Sequence, residues 1–207
     1  MATLLRIDAS ARYENSVSRR LADQVQTAWT VAHPTGTIVR RDLAAQPVSH
    51  VSETTIQGFY ATELDAELIA ATQLSDELID ELLSADEILL STPMYNFSVP
   101  SALKAYIDQI VRINKTFAVV DGALQGLVPN KRVYVALAEG AAYREPPLAE
   151  YDFLQPYLTK LFGFLGMQDM VFLTVDSTTL DPAAQQVAQE AATARINELF
   201  TLHNALS

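Results

Sequence analysis

Short apolar runs alternate with stretches of helical spacing along the whole chain, and this alternation constrains the fold more than any other feature. The runs are Thr3–Asp8, Thr37–Asp42, Glu87–Ser91, Arg132–Leu137 and Met170–Val175. Runs of this length read as buried strands. Between them, apolar residues recur every three or four positions. Val17, Leu21, Val25 and Ala28 form one such stripe, Leu64, Leu68, Ala71, Ser75, Leu78 and Leu82 a second, and Leu103, Tyr106, Ile107 and Ile110 a third. The spacing predicts helices from Ser16 or Ser18, over Leu64–Leu83 and over Ser101–Arg112. Two more follow over Leu148–Leu165 and Pro182–Leu202, the last capped by Asp181 with Pro182 in its first turn. Leu43–Tyr60 reads as a proline-containing loop with a short helix, and Thr116–Pro129 as an irregular excursion. Strand and helix in alternation give an α/β protein with a parallel sheet covered on both faces. No linker, repeat or low-complexity segment interrupts residues 1–207, so one domain is expected.

Composition narrows the function. The hydrophobic fraction of 49% supplies a core, and the absence of cysteine excludes disulfides, cysteine nucleophiles and thiolate metal sites. A net charge of −11 disfavours nucleic acid and anionic membranes as partners. His33, His50 and His203 lie far apart, without metal-ligand spacing, so no metal is expected. The start of the chain does not resemble a signal peptide, and no apolar run reaches the ~18 residues of a membrane helix. A cytoplasmic protein is expected.

In parallel sheets of this kind, ligands lie beyond the carboxyl ends of the strands. Three loops sit there. The first, Ser10–Asn15, leads into a helix whose start offers Ser10, Ser16 and Ser18 hydroxyls, free amides and Arg12, Arg19 and Arg20, a combination suited to phosphate. Helix capping and surface coverage explain the same residues. The second, Pro93-Met94-Tyr95-Asn96-Phe97, is unusually apolar for a loop. It suits a planar, partly polar heterocycle, or else a subunit interface or the core. The third, Ala138–Pro147, offers the amides around Gly140 and the ring of Tyr143, or is an ordinary strand-to-helix connection. GxGxxG, GxxxxGK[ST] and GxSxG are all missing.

The segment PMYNFSVPSALKAYIDQIVRINKTF resembles the signature region of the FMN-dependent NADH:quinone oxidoreductases, also called NADH-azoreductases. The matching residues are Pro93 to Phe97, Leu103-Lys104, Tyr106, Asp108 and Thr116-Phe117. RRDLAAQP (Arg40 to Pro47), LSDELIDEL (Leu74 to Leu82) and PYLTKLFGFLGM (Pro156 to Met167) extend the likeness over most of the chain. The resemblance implies a flavodoxin-like three-layer sandwich with five parallel strands in the order 2-1-3-4-5, a homodimer, and non-covalent FMN. It places the phosphate on Ser10 and Ser16-Val17-Ser18, and the ring on Met94, Tyr95, Asn96 and Phe97. The third loop departs from the family's common Ser-Arg-Gly-Gly. Here it is Ala138-Glu139-Gly140-Ala141, so only Gly140 matches, and a hydroxyl and a cation are lost. Glu139, Gly140 and Ala141 are still expected at the cofactor, and Phe117, Tyr143 and Phe162 around the acceptor.

The implied activity is two-electron transfer from NADH or NADPH through FMN to a quinone or azo compound, by a ping-pong mechanism. The cofactor carries that chemistry, so no side chain is assigned a catalytic role. The other reading carried forward is a flavodoxin-like binding or interaction protein without NADH-dependent catalysis.

Overall fold

The computed structural model describes residues 1–179 and 181–206, with side chains described as far as residue 201. Leu180, Ser207 and the side chain of His203 lie outside the described residues. In chain order the elements are β1 (Thr3–Asp8), α1 (Val17–Ala32), β2 (Thr37–Asp42), α2 (Glu53–Tyr60), α3 (Ala66–Ser84), β3 (Glu87–Pro93) and α4 (Ser101–Ile110). They continue with β4 (Phe117–Val120), β5 (Ala123–Gly126), β6 (Arg132–Ala138), α5 (Leu154–Leu165), β7 (Asp169–Val175) and α6 (Pro182–Leu206). Five strands form one parallel sheet in the order β2-β1-β3-β6-β7. Leaving aside β4 and β5, which form a separate two-stranded sheet, this is the expected order.

Alternation along each central strand divides the core. Leu4, Leu89, Tyr134, Ala136 and Leu173 pack with Leu21, Val25 and Trp29 of α1 and Ile196 and Phe200 of α6. Their neighbours Leu5, Ile7, Ile88, Leu90, Val133 and Val135 pack instead with Leu78 and Leu82 of α3, Tyr106 and Ile110 of α4, and Leu158 and Phe162 of α5. Successive residues of a strand point to opposite faces, so each face receives its own apolar set.

The largest differences from the sequence expectation are at α3, at α5 and in the segment Thr116–Pro129. Helix α3 starts at Ala66 because Asp65 caps it, its carboxylate accepting from the Leu68 amide at 2.9 Å; Leu64 is exposed. Helix α5 starts at Leu154, after a single 3-10 turn at Ala149–Tyr151. Asp152 Oδ1 accepts from the amides of Leu154 and Gln155, both at 3.0 Å, and fixes that start. Pro156 then falls in the first turn, where a missing N–H costs nothing. Thr116–Pro129 is not irregular: β4 and β5 form an antiparallel hairpin around Asp121 and Gly122, with φ of 51° and 79°. An Asp-Gly pair with both φ positive is the two-residue turn that matches the twist of a hairpin. At Gly126 the hairpin meets the end of α5, and a Cβ there would lie 2.2 Å from the carbonyl carbon of Leu165. Among the described residues, no helix is long and apolar enough to cross a membrane.

Candidate functional site

The carboxyl ends of β1, β3 and β6 open into a cavity of about 360 Å³, within the usual range for small-molecule sites. The first loop and the start of α1 supply Ser10, Arg12, Asn15, Ser16, Val17, Ser18 and Arg20 to its lining; the second loop supplies Pro93, Met94 and Tyr95, and the third Ala138 and Gly140. All three loops singled out in the sequence therefore meet in one place. A fourth contributor, absent from the sequence reading, is the segment after β7. Thr178 and Thr179 complete the wall, with Gln185 from α6.

Local structure explains the hydroxyl cluster. Ser16 is the N-cap of α1, its side chain accepting from the Arg19 amide. Its Oγ donates to Ser10 Oγ at 3.0 Å and lies 3.4 Å from Ser18 Oγ. All three serines are buried. Three hydroxyls beside the free amides of a helix start form a concentrated donor set, and the helix dipole favours an anion there. Arg12 and Arg20 are exposed at the same cavity. Arg19 is committed elsewhere. Its guanidinium donates to both Asp42 oxygens, at 2.7 and 2.9 Å, and to Ser10 O at 2.8 Å. It thereby ties the loop to the end of β2 and holds the Asp42 carboxyl down at about 2. Beneath it the buried Asp8 pairs with the buried Arg6 and the exposed Arg40, at 3.1 and 2.8 Å.

The second loop owes its shape to a tight turn. Tyr95 and Ser98 exchange backbone hydrogen bonds of 3.0 and 3.1 Å, and Asn96 and Phe97 take φ of 49° and 71°. A bulky residue at positive φ is strained, and such strain clusters at functional sites. The turn divides the four residues. Met94 and Tyr95 face the first cavity. Asn96 lines a second one of about 590 Å³ with His50, Ser98, Val99, Ser101, Lys104, Tyr157 and again Tyr95. Phe97 packs on Tyr143 and Tyr151, with ring centroids 5.8 and 5.3 Å apart.

In the third loop Gly140 lines the cavity, while Glu139 and Ala141 are buried and absent from its lining. The fourth segment clamps this loop. Thr178 Oγ1 donates to Glu139 O at 2.9 Å, and Thr179 Oγ1 to Gly140 O at 3.0 Å. A Cβ on Gly140 would press on Thr179 Oγ1 at 3.2 Å.

The expected acceptor residues separate. Tyr143 stands with Phe97. Phe117 lies on the hairpin, half-buried against Phe164, with centroids 5.0 Å apart. Phe162, at 1% exposure, packs in the core between α5 and the sheet, where it continues the Leu154, Leu158, Leu165 stripe of its helix.

The chemistry of this cavity fits a flavin mononucleotide. Buried hydroxyls at a helix start suit its phosphate, and Pro93, Met94 and Tyr95 suit the face of a flat ring. A family model described as flavodoxin-like fold matches residues 2–199. With the sheet order, that sets the class of protein. A curated relative from Xanthobacter autotrophicus, named FMN-dependent NADH:quinone oxidoreductase, is 51% identical over 174 residues, 82% of this chain and 84% of its own. One of the same name from Nostoc punctiforme is 42% identical over 197 residues, 94% and 96% of the two chains. Among solved structures, an azoreductase from Bacillus anthracis superposes with a TM-score of 0.86 at 28% identity, over 99% of this chain and 100% of that one. An FMN-dependent NADH-azoreductase from the same species, in complex with FMN, gives 0.85 at 25% identity, over 96% and 99%. The chain belongs to the flavodoxin-like family of FMN-dependent NADH:quinone oxidoreductases.

Proposed function

We propose that this protein is an FMN-dependent oxidoreductase that moves two electrons from NADH or NADPH to quinones or azo compounds. The observation that carries the reading is the convergence, on one cavity, of a hydroxyl-lined helix start and the apolar Met94–Tyr95 wall. FMN, when bound, supplies the two-electron carrier chemistry. Ser10, Ser16 and Ser18 bind its phosphate, with the Val17 amide beside them, and Arg12 and Arg20 offset the phosphate charge. Met94 and Tyr95 orient the ring, and the backbone around Gly140 borders its edge. Glu139 and Ala141 act through that backbone.

Tyr95 lines both cavities. This supports an acceptor site beside the ring that includes Asn96, with Phe97 and Tyr143 closing it against water. Donor and acceptor use this site in turn, which makes the kinetics ping-pong. We further propose that residues 1–207 form one domain, that the helix layers make a three-layer sandwich, and that the protein works in the cytoplasm as a homodimer. Exposure of 41% at Phe97 and 58% at Phe153 supports a second copy over this face. Initial rates with NADH and a quinone test the kinetic reading. Parallel double-reciprocal lines are expected, and intersecting lines would show that both substrates must be bound together.

A further inference from the structure

We propose that Glu139 is a positioning residue that couples cofactor binding to a proton, its carboxyl being neutral when the cavity holds the anionic FMN and its ionisation weakening that hold. The proposal rests on the FMN reading above. Glu139 lies between two cavity-lining residues, Ala138 and Gly140, yet is 0% exposed. Among the described residues, neither Oε1 nor Oε2 has a hydrogen-bond partner. A carboxylate so placed lacks the donors that make buried charge tolerable.

The charged groups that face it come from three segments: Asp152 at the start of α5, Arg144 in its own loop and Asp176 after β7. Arg144 is itself paired with Asp176 at 3.5 Å, so the surroundings carry two acids against one shared cation. Burial first, and then Asp152, push the Glu139 carboxyl up to about 7. Its backbone is fixed at both ends. The Glu139 amide donates to Val175 O at 3.0 Å, and its carbonyl accepts from Thr178 N at 3.1 Å and Thr178 Oγ1 at 2.9 Å. Thr178 lines the cavity, so the backbone that carries the acid is one hydrogen bond from the ligand wall.

The sign follows from linkage. A phosphate-bearing ligand brings negative charge into the cavity that Ala138 and Gly140 line, and so raises the proton affinity of an acid already facing Asp152 and Asp176. By reciprocity, the proton raises affinity for the ligand by the same factor. Below the value of the empty protein Glu139 is neutral with or without FMN, and contributes no pH dependence. Between the empty and the FMN-bound values, each pH unit weakens binding by up to about tenfold. Above both, the loss levels off.

The test is the FMN dissociation constant, read from quenching of flavin fluorescence at constant ionic strength, for the wild type and Glu139→Gln. Glutamine keeps the shape and stays neutral, and the titration of the phosphate itself is common to both proteins. From about pH 6 to about pH 9, wild-type affinity is expected to fall at least about fivefold relative to the variant, with the two equal at the acid end. Parallel profiles would overturn the coupling and leave the FMN site standing. Failure of both proteins to bind FMN at any pH would overturn the functional reading and the coupling with it. A measurement on the wild type alone guards against a variant that does not fold. The infrared band of the protonated carboxyl is expected to persist to higher pH with FMN bound than without, and an identical titration in the two states would overturn the proposal.

Discussion

Removing the hydroxyls at the start of α1 tests whether they hold a phosphate or merely cap a helix. In Ser16→Ala with Ser18→Ala, the fold loses the 3.0 Å bond between Ser16 and Ser10 and a cap bond to the Arg19 amide that is long, at 3.4 Å. Loss of an N-cap costs about 1 kcal/mol. For a chain of this size that lowers the thermal midpoint by about 2–4 °C. The ligand side is larger. A hydrogen bond to a charged group contributes roughly 1.5–3 kcal/mol, so two lost hydroxyls remove at least about 3 kcal/mol of binding. At 1.4 kcal/mol per tenfold, FMN affinity should fall about a hundredfold or more. Differential scanning fluorimetry of the empty protein gives the first quantity, and titration with FMN the second. A variant that melts a few degrees lower but binds FMN within about twofold of the wild type would refute a phosphate at this loop.

Three further outcomes follow from the same geometry. Asn96 sits at φ 49°, a conformation glycine adopts freely. Asn96→Gly should therefore keep the turn while slowing NADH oxidation about tenfold, a modest share of what a single polar group at a reacting centre supplies; an unchanged rate would remove Asn96 from the site. Phe162 is fully packed, so Phe162→Ala should cost about 3–5 kcal/mol, read as a large fall in thermal midpoint. An altered acceptor KM without that fall would place Phe162 at the acceptor site instead. Arg19 holds Asp42 at about 2, below its unfolded value, so this pair contributes stability above about pH 4 that is lost as pH falls through about 2. Asp42→Asn should remove about 1–2 kcal/mol at neutral pH and flatten the acid limb of the stability profile; an unchanged acid limb would place the loss elsewhere.

Much of this architecture is legible in the sequence because strand burial is continuous. The LLRID and EILLS runs have few other places to go, and Asp181 before Pro182 reads directly as a cap, which it is, accepting from the Ala183 amide at 2.9 Å. The hairpin escapes notice because its strands are short and its apolar residues face outward, Val119 and Leu124 among them. Asp121-Gly122 is the signal that finds it. The expected start of α3 at Leu64 fails because a stripe of leucines masks the capping aspartate beside it. At the site, local pattern places the three loops but cannot show that Thr178 and Thr179 fold back to clamp the third. That contact joins residues about forty positions apart. Phe162 is the reverse case. Its spacing from Leu154, Leu158 and Leu165 marks it as core, and only the resemblance suggests otherwise. The buried pairing of Arg6 with Asp8 is hidden for another reason, since charges in a central strand become tolerable only through partners the sequence does not reveal.

The visible absorbance of the protein, incubated with FMN, desalted and then given NADH without air, tests the central reading most directly. Flavin colour that survives desalting, bleaches with NADH and returns on addition of a quinone is the expected result. Retained flavin that neither NADH nor NADPH bleaches would contradict the proposed donor chemistry while leaving the cavity as a flavin site. Loss of all flavin on desalting would contradict the cofactor assignment itself and favour a binding protein without this catalysis.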